Sequence, residues 1–480
     1  MSAENLFALA TVLVVFLALL TIRFHVGLSL MLAGMVGVIL LRTTDAAVST
    51  VASQPFSASA DYSLTIIPLF MLMGVFAVHG RLAAAGFDGA SRMLGRFPGG
   101  TALASLAGSG MFAAVTGSSV ATVATMARVS TDAIVKAGHG IKLAAGVVSA
   151  GGTLGVLIPP SIVLVLYGVV TEESIGRLLL AGIGPGLLTI LVYAVTIVLL
   201  VVRERRRSAA IEAQVPATVG AGAAGTSADA TGEGRANDAG VSGVGDSDHP
   251  EGEGNAPTTT NRPDRAGVAY LAVIFLVSIG TIYAGVATPT EAASFGAMTA
   301  LIILLIRTRP PRWMVVLKES VTEAVGLTAM TFLLMAGAGV FTYFLALSGA
   351  SSALVDAVVS AELPPYLVLV LCLLILLPLG MFLDGVSMIL VAAPLLHPIL
   401  TEYGFDGIWL GILVVKVAEM ALITPPVGMN AFVYSGSVPE AGLGRVFRGI
   451  VPFIVADVVV VAILILVPDI VTFLPDMGNA

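Results

Sequence analysis

The chain predicts an all-α polytopic membrane protein, with about ten crossings and two re-entrant helical hairpins laid out as an inverted repeat. Composition is the first observation behind that reading. Of 480 residues, 57% are hydrophobic and only 11% charged, where soluble domains carry about 25% charged residues; mean hydropathy is +1.01. The second is a pair of double-proline breaks, Pro159-Pro160 and Pro425-Pro426, inside sequence otherwise apolar enough for lipid. Adjacent prolines remove helical hydrogen bonds, and in a membrane such backbone is tolerated only where it is buried in protein or lines a cavity. The third is recurrence. Gly74-Val75-Phe76, Gly110-Met111-Phe112, Ile158-Pro159-Pro160 and Gly176-Arg177 return in the same order at Gly339-Val340-Phe341, Gly380-Met381-Phe382, Thr424-Pro425-Pro426 and Gly444-Arg445, always 265 to 270 residues later. Ordered recurrence at nearly constant offset marks an internal duplication.

A crossing needs roughly 20 apolar residues. Such runs fall near 5–22, 26–41 and 62–79, followed by a more polar arm at 81–100. The first lacks a basic n-region and reads as a retained span rather than a cleaved leader. Two short pieces, 101–116 and 119–136, meet at Gly117-Ser118 and predict a hairpin over 101–136. A broken helix over 141–170 and a crossing over 178–202 complete a first repeat, 1–202. Residues 203–265 then turn to Ala, Gly, Ser, Asp, Glu and Pro, a composition that cannot bury a core and predicts a disordered linker. The second repeat, 266–480, carries its hairpin at 363–400 and its broken helix at 409–435. Five crossings per half is odd, so the second copy enters the membrane upside down. Inverted repeats meeting at broken helices are the architecture of secondary transporters.

Charge supports one orientation. With the Arg203–Arg207 end cytoplasmic, 19 of the 23 Lys and Arg fall in cytoplasmic loops or linker, leaving Arg42 and Arg177 opposite and Arg128 and Lys416 within the membrane segments. That follows the positive-inside rule. It places both termini outside, the first hairpin entering from the cytoplasm and the second from outside. Cys372 is the single cysteine, so no intrachain disulfide framework is possible.

The candidate site is polar residues at these breaks. The first tip offers Gly117, Ser118, Ser119 and Thr122; the first break offers Thr153, Gly155 and Ser161. The second tip offers Asp384 and Ser387, and the second break Thr424, Gly428 and Asn430. Hydroxyl, carbonyl and carboxylate oxygens suit a hard cation such as Na⁺, and a helix N-terminus suits an anion. A bare carboxylate at Asp384 costs about 2.5–3.5 kcal/mol in a span and calls for a cation or a proton, unless it caps a helix. Arg128 with Asp132, and Lys416 with Glu419, share helical faces at spacings of four and three and predict internal ion pairs; Arg128 or Lys416 could alternatively meet a substrate carboxylate. No catalytic triad, phosphate loop, metal-ligand cluster or nucleic-acid motif occurs, which argues against an enzyme.

At Gly117–Thr125, Gly151–Ser161 with Tyr167-Gly168, Thr288–Ala292, Gly380–Asp384 with Pro394, and Thr424–Asn430, the sequence resembles the large permease subunit of tripartite ATP-independent periplasmic (TRAP) transporters. The resemblance implies an elevator-type, Na⁺-coupled importer in a bacterial inner membrane. It implies a small four-helix membrane subunit and an extracytoplasmic solute-binding protein that delivers an organic acid of carboxylate type. Its ion positions fall on Ser118, Ser119, Gly155, Asp384, Thr424 and Gly428. Coupling to H⁺, a single-component carboxylate symporter of the same superfamily, and a channel are the alternatives.

Overall fold

The structure, a computed structural model, describes residues 3–22, 24–214 and 265–477, and every regular element among them is helical. The chain begins with α1 (Ala3–Thr21), α2 (Val26–Leu41) and α3 (Thr44–Ser59). A 3-10 turn, Tyr62–Thr65, leads into α4 (Ile66–His79), and α5 (Leu82–Leu94) follows. Next come α6 (Gly100–Thr116) and α7 (Ser119–Lys136), then α8 (Ile141–Gly152), α9 (Leu154–Leu157), α10 (Ile162–Thr171), α11 (Ile175–Ala181) and α12 (Ile183–Gln214). From residue 265 come α13 (Arg265–Tyr283), α14 (Pro289–Arg307), α15 (Trp313–Ser348) and α16 (Ala350–Ser360). The chain continues through α17 (Pro365–Phe382), α18 (Gly385–Glu402), α19 (Gly407–Ile423), α20 (Met429–Ser437), α21 (Leu443–Leu466) and α22 (Asp469–Met477).

Side chains set many of these starts. Thr43, Ser118, Ser161, Ser174 and Asp406 each accept a backbone N–H from the first turn of the following helix, which relieves one orphan donor. Thr288 and Glu291 form a reciprocal capping box ahead of α14, with Pro289 at its first position.

Nine helices among the described residues are long and apolar enough to cross a membrane, or ten if α8–α9 and α10, bent by 43° at the first double proline, count as one. Helices α17 and α18 are both in that count and are joined by only Leu383 and Asp384, whereas α6 is a shorter apolar helix. Leu13, Leu17, Leu187, Leu191, Val455 and Val458 face outward at about half exposure or more, as expected where the surrounding solvent is lipid.

Several sequence expectations need correction. The stretch 44–59, left without an element, is helix α3, capped by Thr43 and packed on α2 and α15; its polar composition hid it from a hydropathy search. The arm at 81–100 contains the amphipathic helix α5, which lays Leu82, Ala83, Ala85, Phe87 and Ala90 against the core. The crossing expected over 178–202 is present as one span, Ile175–Arg206, with a local irregularity at Gly182 between α11 and α12. Within the stretch expected as linker, α12 continues to Gln214; the rest of that stretch, residues 215–264, lies outside the described residues. Arg, Glu and Ala are good helix formers, so the basic run extends the helix it follows.

Close packing ties the part before the linker to the part after it. Helix α8 crosses α21 with Gly146 and Gly449 backbone to backbone: a Cβ on Gly449 would fall on the Lys142 carbonyl, and one on Gly146 on the Gly449 carbonyl. Over-packing a core costs roughly 1–3 kcal/mol, and here the obstacle is main chain that cannot rotate away. Gly449→Leu is therefore expected to lower the melting temperature in detergent and the monodisperse fraction on gel filtration. Val451→Leu, at a half-exposed neighbouring position, should change neither; equal behaviour of the two variants would refute the close crossing.

Candidate functional site

The first tip is built by the turn between α6 and α7. Gly117 ends α6 with φ at +60°, a left-handed conformation in which glycine pays no Cβ penalty. A Cβ there would also lie 2.8 Å from the Pro160 carbonyl, so the tip rests directly on the first break. Gly155 completes the contact, its Cβ position lying 3.5 Å from the Ser118 carbonyl oxygen. Ser118 caps α7, accepting from the Ala121 N–H at 3.4 Å, and Ser119 is buried behind it.

The other expected residues of this half are engaged locally. The Thr122 hydroxyl donates to the Ser118 carbonyl at 2.8 Å and lies 3.2 Å from the Thr116 hydroxyl. The Thr153 hydroxyl donates to the Ala150 carbonyl at 2.7 Å and lies 3.3 Å from the Tyr193 hydroxyl. Ser161, fully buried, caps α10 by accepting from the Leu164 N–H at 3.2 Å. Only their remaining lone pairs are available to a ligand.

In the second half Asp384 is the N-cap of α18. Its carboxylate accepts the Val386 N–H at 3.2 Å and the Ser387 hydroxyl. The capping role accounts for its position, and its negative charge stays partly exposed at the tip. Thr424 ends α19 and donates to the Met420 carbonyl at 2.6 Å; Gly428, with φ at +57°, opens α20. Asn430 lies in the first turn of α20, fully buried, with both amide atoms lacking a hydrogen-bond partner. Both double-proline bonds are cis.

The ion-pair expectations fail in an informative way. Lys416 does not pair with Glu419: its ammonium lies 2.5 Å from Asp457 Oδ1 on α21, with both side chains fully buried, and 5.5 Å from the centre of the Tyr193 ring. The Tyr193 hydroxyl donates to the same oxygen at 2.7 Å. A carboxylate on a facing helix reaches the ammonium with better geometry than one a turn away on the same helix. Arg128 and Asp132 also form no ion pair; both are exposed on α7, where holding two long side chains together gains little.

Glu419 is left buried, with no hydrogen bond of good geometry to either carboxylate oxygen. The groups facing it are Ser119 at the start of α7, Lys416, Asp457 and Asp384. Gly385, the first residue of α18, is so near that a Cβ there would lie 3.0 Å from Oε1. The first tip, the second tip and the last turns of α19 before the second break thus converge on one side chain, and the first break leans on the first tip.

Asp457 and Tyr193 are the residues that the motif search missed. Asp457 had a signal, since it is a carboxylate within the apolar run Val455–Val461, and an intramembrane ionisable group is a functional candidate by default. Tyr193 had none, because its role depends on which helix faces α12. His397, which lacks ligand spacing in sequence, places Nδ1 2.9 Å from the Tyr167 hydroxyl and Nε2 3.8 Å from Glu173. No group of three or more His, Cys, Asp and Glu able to hold a metal ion occurs among the described residues. The oxygen-rich convergence suits a weakly held hard cation better than a transition metal.

Comparison with known proteins agrees with this architecture. The family described as tripartite ATP-independent periplasmic transporter, DctM component, matches residues 13–470. A C4-dicarboxylate TRAP transporter large permease protein of Pseudomonas aeruginosa is 32% identical over 438 residues, covering 91% of this chain and 92% of its own. Its counterpart in Vibrio cholerae is 30% identical over 490 residues, covering 98% of each. An ectoine/5-hydroxyectoine TRAP transporter large permease protein of Ruegeria pomeroyi is 26% identical over 469 residues, covering 98% of this chain and 99% of its own. Among solved structures, the YdaH transporter of Alcanivorax borkumensis shares the fold, with a TM-score of 0.59 at 14% identity over 87% of this chain and 88% of that one. Its relatives are transporter permeases, and this multi-pass membrane chain belongs to the DctM component family of tripartite ATP-independent periplasmic transporters.

Proposed function

We propose that the chain is the membrane subunit that carries an organic acid inward, coupled to Na⁺, after an extracytoplasmic solute-binding protein has delivered it. The observation that carries this reading is the convergence of two hairpin tips and an interrupted helix on one buried, oxygen-lined locus around Ser119, Asp384 and Glu419. Such a locus, lined by half-helix ends and unwound backbone, is where transporters of broken-helix design hold ions and solute. Ser118, Ser119, Gly155, Asp384, Ser387, Thr424 and Gly428 are the positions proposed to hold Na⁺. Gly117, Ser118, Thr122, Thr153, Ser161 and Asn430 are proposed to face the solute. The unpartnered amide of Asn430 is the strongest of these.

Residues 1–202 and 266–480 act in this reading as inverted repeats. The hairpins and broken helices, α6–α10 and α17–α20, move together as an elevator against the outer spans, with α21 held to α8 by the Gly146–Gly449 contact. The asymmetry of arginine and lysine supports an inner-membrane orientation with both termini periplasmic and the linker cytoplasmic. A small four-helix membrane subunit is the proposed partner on the scaffold side. Curated relatives are named for C4-dicarboxylates, isethionate, sialic acid and ectoine, so the solute is proposed only as a small organic acid.

Proteoliposomes holding the chain with its small subunit, supplied with loaded binding protein, test the reading. Uptake is expected under an inward Na⁺ gradient and not under a pH gradient in K⁺. Uptake of equal rate without Na⁺ would refute the coupling.

A further inference from the structure

Glu419 is unused by the ion positions assigned above, yet among the described residues it is a fully buried carboxyl group. It is 1% exposed, and neither carboxylate oxygen has a hydrogen bond of good geometry, although Ser119 stands close by. An ionised carboxylate is not held in an apolar interior without a compensating partner. The cation that faces it, Lys416, is already committed to Asp457 at 2.5 Å. With that pair neutral as a unit, the carboxyl groups of Glu419 and Asp384 are the acidic groups left between the tips.

We propose that Glu419 is the shared anionic ligand of a monovalent cation held between the two hairpin tips. The inference rests on the Na⁺-coupled reading and adds to it a residue on neither hairpin. Glu419 lies on α19 and faces the first residue of each second hairpin helix: Ser119 of α7 and Gly385 of α18. One cation on this carboxylate can draw oxygens from both tips, including the Ser119 hydroxyl and the Asp384 carboxylate. That gives a hard-oxygen set without three carboxylates or a soft ligand, matching a monovalent ion of modest affinity. The physical consequence is coupling between the tips. Neither can withdraw from Glu419 without weakening the cation's hold on the other, so a single binding event secures both.

The rival reading makes Glu419 a permanently protonated, structural side chain. The full chain purified in nanodiscs distinguishes them by thermal melting in increasing Na⁺ at constant ionic strength, balanced with choline. Wild type is expected to gain stability with Na⁺, specifically over choline. Glu419→Gln, isosteric and neutral, is expected to keep the Na⁺-free melting temperature but to raise the half-saturating Na⁺ concentration at least tenfold. Glu419→Asp keeps the charge but withdraws it from Gly385, and is expected to raise that concentration severalfold; it remains informative if the glutamine variant fails to fold. A Na⁺ response in either variant identical to that of wild type would overturn the role of Glu419 while leaving the Na⁺-coupled reading intact. No Na⁺-specific response in wild type would overturn both.

Discussion

Asp457→Ala is expected to destabilise the protein strongly, by roughly 3–5 kcal/mol, because it strands the Lys416 ammonium in a fully buried site. Asp457 Oδ1 is the meeting point of two donors, Lys416 at 2.5 Å and the Tyr193 hydroxyl at 2.7 Å. Its loss leaves a charge and a hydroxyl unsatisfied together. The double variant Lys416→Met/Asp457→Leu is expected to recover most of that loss. Replacing a whole buried ion pair with apolar side chains of similar volume is often neutral or even stabilising. Melting of the single and double variants in one detergent measures the difference. A double variant as unstable as the single one would mean that the pair contributes more than mutual compensation. The network also reaches the first break, since Tyr193 lies 3.3 Å from Thr153.

The second large effect is expected at Asp384, where one side chain serves a helix and faces the proposed ion. Asp384→Asn keeps an oxygen able to accept the Val386 N–H, and Asn ranks with Asp as an N-cap. The variant is therefore expected to fold as wild type does, while the half-saturating Na⁺ concentration for uptake rises by about tenfold or more, as each 1.4 kcal/mol of lost interaction implies. Asp384→Ala removes charge and cap together, adding a destabilisation of about 1 kcal/mol. It is expected to abolish Na⁺-dependent uptake while the protein remains in the membrane. Uptake kinetics in proteoliposomes beside melting curves separate the two losses. Unchanged Na⁺ dependence in the asparagine variant would reduce Asp384 to a cap.

Much of the fold is legible in the sequence because lipid imposes a harsh selection on backbone. Apolar length locates the spans, and the double prolines mark the places where a helix must break. What escapes is what depends on partners. Helix α3 carries Thr44, Asp45, Ser49, Thr50, Ser53 and Gln54, so no hydropathy window finds it; α2 and α15 provide its packing. Likewise, the spacing of Lys416 and Glu419 is compatible with a pair on one helix, but helix packing brings in Asp457 from 41 residues away. One pairing decision then changes the meaning of both residues. Lys416 becomes part of a neutral structural unit, and Glu419 becomes the buried carboxyl group left over.

The contact between Gly146 and Gly449 carries a consequence of its own. Two main chains pressed together with no side chain between them cannot slide past each other as greased surfaces do. Helix α8 leads into the first break, and α21 is a span from beyond the linker. In the proposed elevator, a stroke of the first break therefore carries α21 with it, so the moving part is stitched from both ends of the polypeptide.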